Sequence, residues 1–225
     1  MSSPRGAGRP GRTARLLLST LVAAATAVIA LPATSAHAAG RVVYLTFDDG
    51  PGPYTPQVLS VLAQYGARAT FFEIGQNVAR YPELTRRVAS QGHSVQNHSW
   101  SHPDLRSLSK SAFRDQVTAT DARIRAQTGS TPGCLRPPYG GVNATVRSRA
   151  AGLGKTVSLW SVDPQDWALP GRAAIERRVL AGVGPGSVVL LHDGGGNRAQ
   201  TVAALPGILR TLKARGYSFG LLNCR

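Results

Sequence analysis

His98 and His102 lie four positions apart, a spacing at which two imidazoles can act together. On a turn of helix, side chains at positions i and i+4 share a face and can bind one cation. Such a pair is often structural when it stands alone. With one carboxylate it forms a His₂Asp set that leaves positions open for water and substrate, which is typical of a catalytic metal site.

Two adjacent aspartates, Asp48 and Asp49, could supply that carboxylate. They follow an apolar run and precede Gly50-Pro51, so an ordinary polar turn is the structural alternative. Neighbouring carboxylates at the end of a buried strand repel each other unless one binds a metal and the other meets an arginine. A metal ligand next to an arginine-paired aspartate would relieve that repulsion, and the polar turn stays open as the alternative.

Three further segments combine residue types that catalysis uses. Residues 136–140 (RPPYG) form a stiff loop that could present a fixed backbone N–H to an oxyanion, although prolines also simply end strands. Residues 163–167 (DPQDW) offer two acids and an aromatic wall, or alternatively a capped turn with a buried tryptophan. Residues 190–192 (LLH) place an imidazole at the end of an apolar strand, where it could act as acid or base. His93 precedes its strand, and we interpret it as structural.

The elements that must position these residues alternate between strands and helices. Strands are predicted at 42–47, 69–74, 94–97, 134–136, 156–162, 187–192 and 218–222. Helices are predicted from Thr55 as a cap to Gly66, and at 77–90, 109–128, 143–151, 172–181 and 202–215, the last starting late or kinking at Pro206. This alternation predicts an α/β fold with a parallel sheet, either open and doubly wound or closed into a barrel.

Each polar cluster follows the end of a predicted strand. In a β/α barrel the active site lies on that face, so the clusters are expected to meet there. The glycine run 194–196 lacks the spacing of a phosphate-binding loop. One catalytic domain is the simplest organisation.

Residues 1–38 predict an export signal. Four arginines without an acid precede an apolar run at 16–31, and a small-residue cleavage pattern ends at Ala38. An uncleaved membrane anchor is the alternative, although Pro32 and the cleavage pattern argue against it. We expect a bacterial protein that is secreted through the general export route, has no stable membrane anchor, and keeps residues 39–225 as its domain.

Charge and cysteines set the remaining expectations. The formal net charge of +15 invites a nucleic-acid binder, but no run of like charges appears, so we expect no specific nucleic-acid partner. The two cysteines, Cys134 and Cys224, are expected to pair in an oxidising compartment, with two separate thiols as the alternative.

Five segments in order, TFDDGP, HSWSH, RPPYG, DPQDW and LLH, resemble the five motifs of the polysaccharide deacetylases, carbohydrate esterase family four. The resemblance covers about residues 41–223. It implies a distorted, incomplete (β/α) barrel of about seven strands in a single domain. It also implies a divalent metal, usually zinc, although cobalt or another ion suits the same ligands.

The resemblance assigns the metal ligands and the base. Asp49, His98 and His102 would bind the metal. Asp48 would be the general base, and Arg136 would tether it.

The resemblance also assigns the acid and the substrate contacts. His192 would be the general acid and Asp166 would orient it. The backbone N–H of Tyr139 would help to hold the oxyanion, while Trp167 and Leu190 would form the apolar wall around the acetyl methyl group.

The function implied is a secreted, metal-dependent hydrolase that removes N-acetyl groups from N-acetylglucosamine in chitin, its oligosaccharides or peptidoglycan. An esterase that removes O-acetyl groups from xylan could use the same site. A sugar-binding module with a vestigial site is a further alternative, although the complete set of motifs argues against it.

Overall fold

The computed structural model describes residues 41–224, so the predicted leader at residues 1–38 lies outside the described residues. The strands are β1 (Arg41–Asp48), β2 (Thr70–Glu73), β3 (Ser94–Asn97), β4 (Cys134–Leu135), β5 (Thr156–Val157), β6 (Val188–His192) and β7 (Tyr217–Phe219). The helices are α1 (Thr55–Gln64), α2 (Gly75–Arg80), α3 (Pro82–Ser90), α4 (Lys110–Thr128), α5 (Ala144–Ala151), α6 (Arg172–Gly182) and α7 (Ala199–Ala214). Every strand prediction matches a strand.

The strands form one curled parallel sheet in the order β5-β4-β3-β2-β1-β6, and β7 pairs with the start of β1. The register places Asp48 of β1 opposite Phe72 of β2 and His192 of β6. Between β5 and β6 the described residues contain a single parallel bridge, from Val162 to Val189, so the barrel is incomplete. The prediction of a distorted, incomplete (β/α) barrel in a single domain is confirmed.

Strand β1 separates the apolar core from the site. Val43, Leu45 and Phe47 are fully buried in the main core, together with the inner faces of α1, α6 and α7. Full burial of each such side chain stabilises the fold by about 2 kcal/mol. Because side chains alternate along a strand, Thr46 and Asp48 point to the opposite face, toward the inside of the half-barrel.

Local backbone rules explain where the elements differ from the predictions. The predicted helix 77–90 is two helices, because Tyr81 precedes a proline and is held out of the helical region, while Pro82 starts α3. The expected strand 156–162 ends at Val157. Thr55 is the first residue of α1 rather than its cap, and it accepts a hydrogen bond from the Gly52 N–H.

Two further predictions concern the C-terminal part of the chain. The last helix does not start late: α7 begins at Ala199 and contains Pro206. Cys134 and Cys224 form a disulfide, as expected, which ties the C-terminal segment to β4. Within residues 41–224, none of the helices is long and apolar enough to cross a membrane.

Candidate active site

The carboxyl ends of the strands meet around a cleft of about 420 Å³. All five predicted motifs contribute to its lining, which Trp160 completes from outside them: Asp48, Asp49, His98, His102, Pro137, Tyr139, Trp160, Asp163, Trp167, Leu190 and His192. Arg136 and Asp166 lie directly behind this lining, hydrogen-bonded to Asp48 and His192. The structure therefore brings together every residue that the sequence singled out for the site.

Asp49, His98 and His102 converge on one point. Their candidate ligand atoms lie within 4.8 Å of one another, and among residues 41–224 they are the one such group of three. Asp49 Oδ1 lies 3.4 Å from His98 Nε2 and 3.2 Å from His102 Nε2. This oxygen is buried and has no hydrogen-bond partner. A buried, unpaired carboxylate oxygen between two imidazoles fits a divalent cation.

The tautomer of His98 supports the same interpretation. Its Nδ1 lies 2.7 Å from the carbonyl oxygen of Arg136. A carbonyl only accepts, so Nδ1 carries the proton and Nε2 faces Asp49. Histidines that bind metals commonly use their other ring nitrogen in this way, which fixes the ring and leaves one lone pair for the ion.

The charges of this cluster are strongly coupled. Burial raises the pKa of Asp49, but the adjacent imidazoles of His102 and His98 outweigh it and hold the pKa well below its usual range. Burial lowers the pKa of His98, but Asp48 and Asp49 outweigh it, so the net shift is upward. The two carboxylates therefore favour positive charge beside them. A bound cation would supply that charge with the imidazoles neutral.

The His98-to-His102 segment is not a helical turn, so that part of the prediction is wrong. Ser99 and His102 have φ of 67° and 60°, in the left-handed region. The turn is held by hydrogen bonds from the Ser99 N–H to Asn97 Oδ1 and from the His102 N–H to Ser99 Oγ. Left-handed backbone costs about 1 kcal/mol or more per residue and is concentrated at functional sites.

Asp48 is held by a buried arginine. Arg136 is fully buried, and its Nη1 donates to Asp48 Oδ1 at 2.7 Å and to Thr46 Oγ1 at 2.7 Å. Two carbonyl oxygens accept hydrogen bonds from its Nε and Nη2, and its guanidinium lies 4.0 Å from the centre of the Phe72 ring. Burial lowers the pKa of Arg136, and Asp48 opposes that shift. The pairing leaves Asp48 Oδ2 on the side of the metal ligands, 3.8 Å from His98 Nε2.

His192 is held by Asp166 on the other side of the cleft. Its Nδ1 lies 2.7 Å from Asp166 Oδ1, and its backbone N–H donates to Oδ2. Burial lowers the pKa of His192, but the hydrogen bond and charge of Asp166 outweigh it, so the pKa is raised. An imidazole oriented through Nδ1 leaves Nε2 available to exchange a proton with a substrate.

Aromatic and apolar side chains form the mouth of the cleft. Tyr139 is 70% exposed and Trp167 is 53% exposed, while Leu190 is buried beside them. Trp160 also lines the cleft, and the sequence analysis missed it because it lies within a predicted strand and outside the motifs. Asp163 Oδ1 accepts a hydrogen bond from the Gln165 N–H, which is the arrangement of a capped turn.

The contacts of His93 are those of a structural residue, and it lies outside the cleft lining. Its Nδ1 accepts a hydrogen bond from the Ala69 N–H, and its ring packs edge-on against Phe71. Burial lowers its pKa to about 4.

Two buried acids under the site were also missed. Asp193 follows the general-acid candidate and accepts a hydrogen bond from Thr55, while Glu73 ends β2 and accepts one from Thr85. Both are fully buried, and each keeps one oxygen without a partner. Burial raises the pKa of Asp193 to about 7 and that of Glu73 to about 8. The signal was position alone, because Glu73 is the last residue of β2 and Asp193 follows β6, and no motif assigns either a role.

The buried acid Glu73 predicts a pH-dependent stability difference. Its folded pKa of about 8 lies above the ordinary value of 4.5, so between these values the folded state binds more protons and stability falls as pH rises. Glu73→Gln removes this loss. We expect the free energy of unfolding of the variant, relative to that of the wild type, to increase by about 4 kcal/mol from pH 5 to pH 9, measured by urea denaturation at each pH. The exposed Glu83→Gln is the control, and equal pH dependence of Glu73→Gln and wild type would contradict the prediction.

Comparisons with known proteins agree with this geometry. A family model described as polysaccharide deacetylase matches residues 35–158. A chitooligosaccharide deacetylase from Bradyrhizobium sp. (strain ANU 289) is 44% identical over 190 residues, covering 79% of this chain and 87% of the relative. A peptidoglycan-N-acetylglucosamine deacetylase from Bacillus cereus is 42% identical over 182 residues, covering 80% of this chain and 85% of the relative.

The structural comparison gives the same assignment. The solved structure of a family 4 carbohydrate esterase from Streptomyces lividans, in complex with acetate, matches with a TM-score of 0.77 and 41% sequence identity. The match covers 82% of this chain and 93% of that one. The chain belongs to the polysaccharide deacetylases, carbohydrate esterase family four.

Proposed function

We propose that the protein is a secreted, metal-dependent deacetylase that hydrolyses the N-acetyl groups of N-acetylglucosamine oligomers or polymers and releases acetate. The observation that carries the proposal is one cleft containing the Asp49–His98–His102 cluster together with two separately held acid–base groups, Asp48 and His192. The names of the relatives from Bradyrhizobium and Bacillus cereus support chitooligosaccharide or peptidoglycan as the substrate.

Asp49, His98 and His102 would hold the cation. Zinc suits two imidazoles and one carboxylate, and cobalt is accommodated by the same ligands. When bound, a divalent cation supplies Lewis-acid polarisation of the amide carbonyl and favours ionisation of water.

Asp48 is the general base in this proposal. Its Oδ1 is occupied by Arg136, so Oδ2 is the oxygen that accepts a proton from the attacking water. The backbone N–H of Tyr139 donates to the carbonyl oxygen as that oxygen becomes negative. Tyr139 follows two prolines in a tight turn, which holds its backbone in place before the reaction begins.

His192 is the general acid. An amine is a poor leaving group unless it is protonated, and Nε2 of His192 supplies that proton while Asp166 stabilises the imidazolium. The two ends of the cleft thus pair a carboxylate with an arginine and a histidine with a carboxylate. These opposite environments divide the base and acid roles.

Secretion is supported by two observations. The first 38 residues have the pattern of an export signal, and Cys134 and Cys224 form a disulfide, which persists in oxidising compartments.

The test is acetate release from chitooligosaccharides, peptidoglycan and acetylxylan, each measured with added zinc or cobalt and after exhaustive chelation. We expect release from the N-acetylated substrates, its loss on chelation and its recovery with metal. Release from acetylxylan alone would identify an O-acetyl esterase instead. Full activity after chelation, or no release from any substrate, would contradict the proposal.

A further inference from the structure

The start of helix α7 makes side-chain hydrogen bonds to both loops that carry the general-acid side of the cleft. We call Arg198, Gln200 and Thr201 the α7 anchor. Thr201 is 1% exposed and Arg198 is 5% exposed. The described residues that line the cleft do not include any member of the anchor. The anchor therefore lies behind the site and reaches it through other residues.

Thr201 contacts the carboxylate that orients the general acid. Its Oγ1 donates to Asp166 Oδ2 at 2.7 Å, deep in the protein. The Asp166 carboxylate accepts two other hydrogen bonds within the described residues, and both come from His192. Among the described residues, Thr201 is thus the one donor to this carboxylate that lies outside His192, and it holds Oδ2 together with the His192 backbone N–H.

Arg198 contacts the glycine loop, residues 194–196, and the segment of Trp167. Its Nε donates to Gly194 O at 2.7 Å and its Nη2 to Gly195 O at 2.9 Å, while its Nη1 lies 3.5 Å from Trp167 O. Its polar partners in the described residues are carbonyl oxygens and include no carboxylate. A buried arginine used in this way acts as a multi-point clamp on backbone.

The glycine loop in turn packs on the metal-ligand candidate Asp49. A Cβ at Gly194 would collide with Asp49 O, and one at Gly195 would collide with Asp49 Oδ2. Gln200 completes the anchor, because its Oε1 accepts the Gly171 N–H at 2.7 Å and so holds the end of the segment that begins at Asp166.

We propose that the α7 anchor is the positioning element of the general acid, an inference that rests on the proposed function. Thr201 sets the orientation of His192 through Asp166, while Arg198 holds the glycine loop and the Trp167 segment in register. Proton transfer needs Nε2 of His192 at hydrogen-bond distance from the leaving nitrogen. A carboxylate free to rotate would let the ring leave that position.

Thr201→Val tests the proposal because it keeps the shape of the side chain and removes the hydroxyl donor. We expect kcat for deacetylation of an N-acetylglucosamine tetramer to fall about tenfold with KM within about twofold, the size expected for one hydrogen bond to a charged group. Hydrolysis of 4-nitrophenyl acetate should be unchanged, because nitrophenolate leaves without a proton. Thr201→Ser should restore the tetramer activity.

Two further measurements separate positioning from general damage. Thr211→Val, on the same helix, is the matched control and should equal the wild type. Proton NMR should show the Nδ1–H signal of His192 downfield in the wild type and in Thr201→Ser, and shifted upfield or broadened in Thr201→Val.

The results that would overturn the α7 anchor differ from those that would contradict the proposed function. An active wild type with an equally active Thr201→Val, or equal losses on both substrates, would overturn the anchor. A wild type that releases acetate from neither the tetramer nor peptidoglycan would contradict the proposed function. In that case the NMR comparison still decides, because an unchanged His192 signal in Thr201→Val overturns the anchor on its own.

Discussion

Replacing Asp49 by alanine is expected to abolish stoichiometric binding of a divalent metal and to lower kcat/KM on an N-acetylglucosamine tetramer by about 1000-fold or more. Asp49 Oδ1 is the unpaired oxygen that lies within 3.4 Å of both imidazole Nε2 atoms, so its loss removes the one carboxylate of the cluster. Two histidines alone hold zinc weakly. The measurements are metal content by mass spectrometry and acetate release at saturating zinc.

The matched control for this variant is Asp115→Ala. Asp115 is an exposed aspartate on α4 that pairs with Arg114 at the surface, and its removal should change neither metal content nor activity. Chelation of the wild type should reproduce the Asp49→Ala loss, and zinc should restore the wild type but not the variant. Wild-type metal content and activity in Asp49→Ala would remove Asp49 from the metal site.

The fold could be predicted from the sequence because strands and helices alternate along it. Runs such as Val42–Phe47 and Ser187–His192 are apolar because both faces of a parallel strand are covered, and that burial marks them without reference to the rest of the chain. The polar residue after each run then falls at one edge of the sheet. Local pattern and parallel topology are therefore enough to collect the five motifs at one cleft.

Contacts between distant parts of the chain could not be predicted from local sequence pattern. Thr201 lies 35 residues from Asp166, and it looks like any helix-forming threonine. Glu73 and Asp193 are buried by packing that a one-dimensional pattern does not contain. The spacing of His98 and His102 predicted a helical turn, but the segment has left-handed residues and accepts long-range hydrogen bonds, from the Gly75 N–H at Ser99 O and from the Gln76 N–H at Trp100 O, which the spacing does not contain.

The electrostatics of the cleft depend on how its buried charges are paired. Arg136 and Asp48 cancel at one end, and Asp166 stabilises positive charge on His192 at the other. Removing one partner of a buried pair leaves an uncompensated charge, at a cost of roughly 3–5 kcal/mol. Asp166 therefore raises the pKa of His192, and changing His192 or Asp166 should appear in the pH profile as well as in the rate.

Replacing His192 by alanine is expected to lower kcat for the tetramer by about 1000-fold, the range of general acid catalysis. A general acid must be protonated, so wild-type kcat falls as pH rises through the pKa of His192. His192→Ala should lose that alkaline limb as well as the rate. Release of acetate from 4-nitrophenyl acetate should fall much less, because that leaving group needs no proton.

Asp166→Asn separates the acid from its partner. Burial lowers the pKa of His192 and Asp166 raises it, so removing the carboxylate charge leaves the effect of burial, and the alkaline limb should move to lower pH. The variant keeps the imidazole, so its kcat at low pH should exceed that of His192→Ala. An unmoved alkaline limb in Asp166→Asn, or its survival in His192→Ala, would assign that limb to another group and leave His192 without its role as the proton donor.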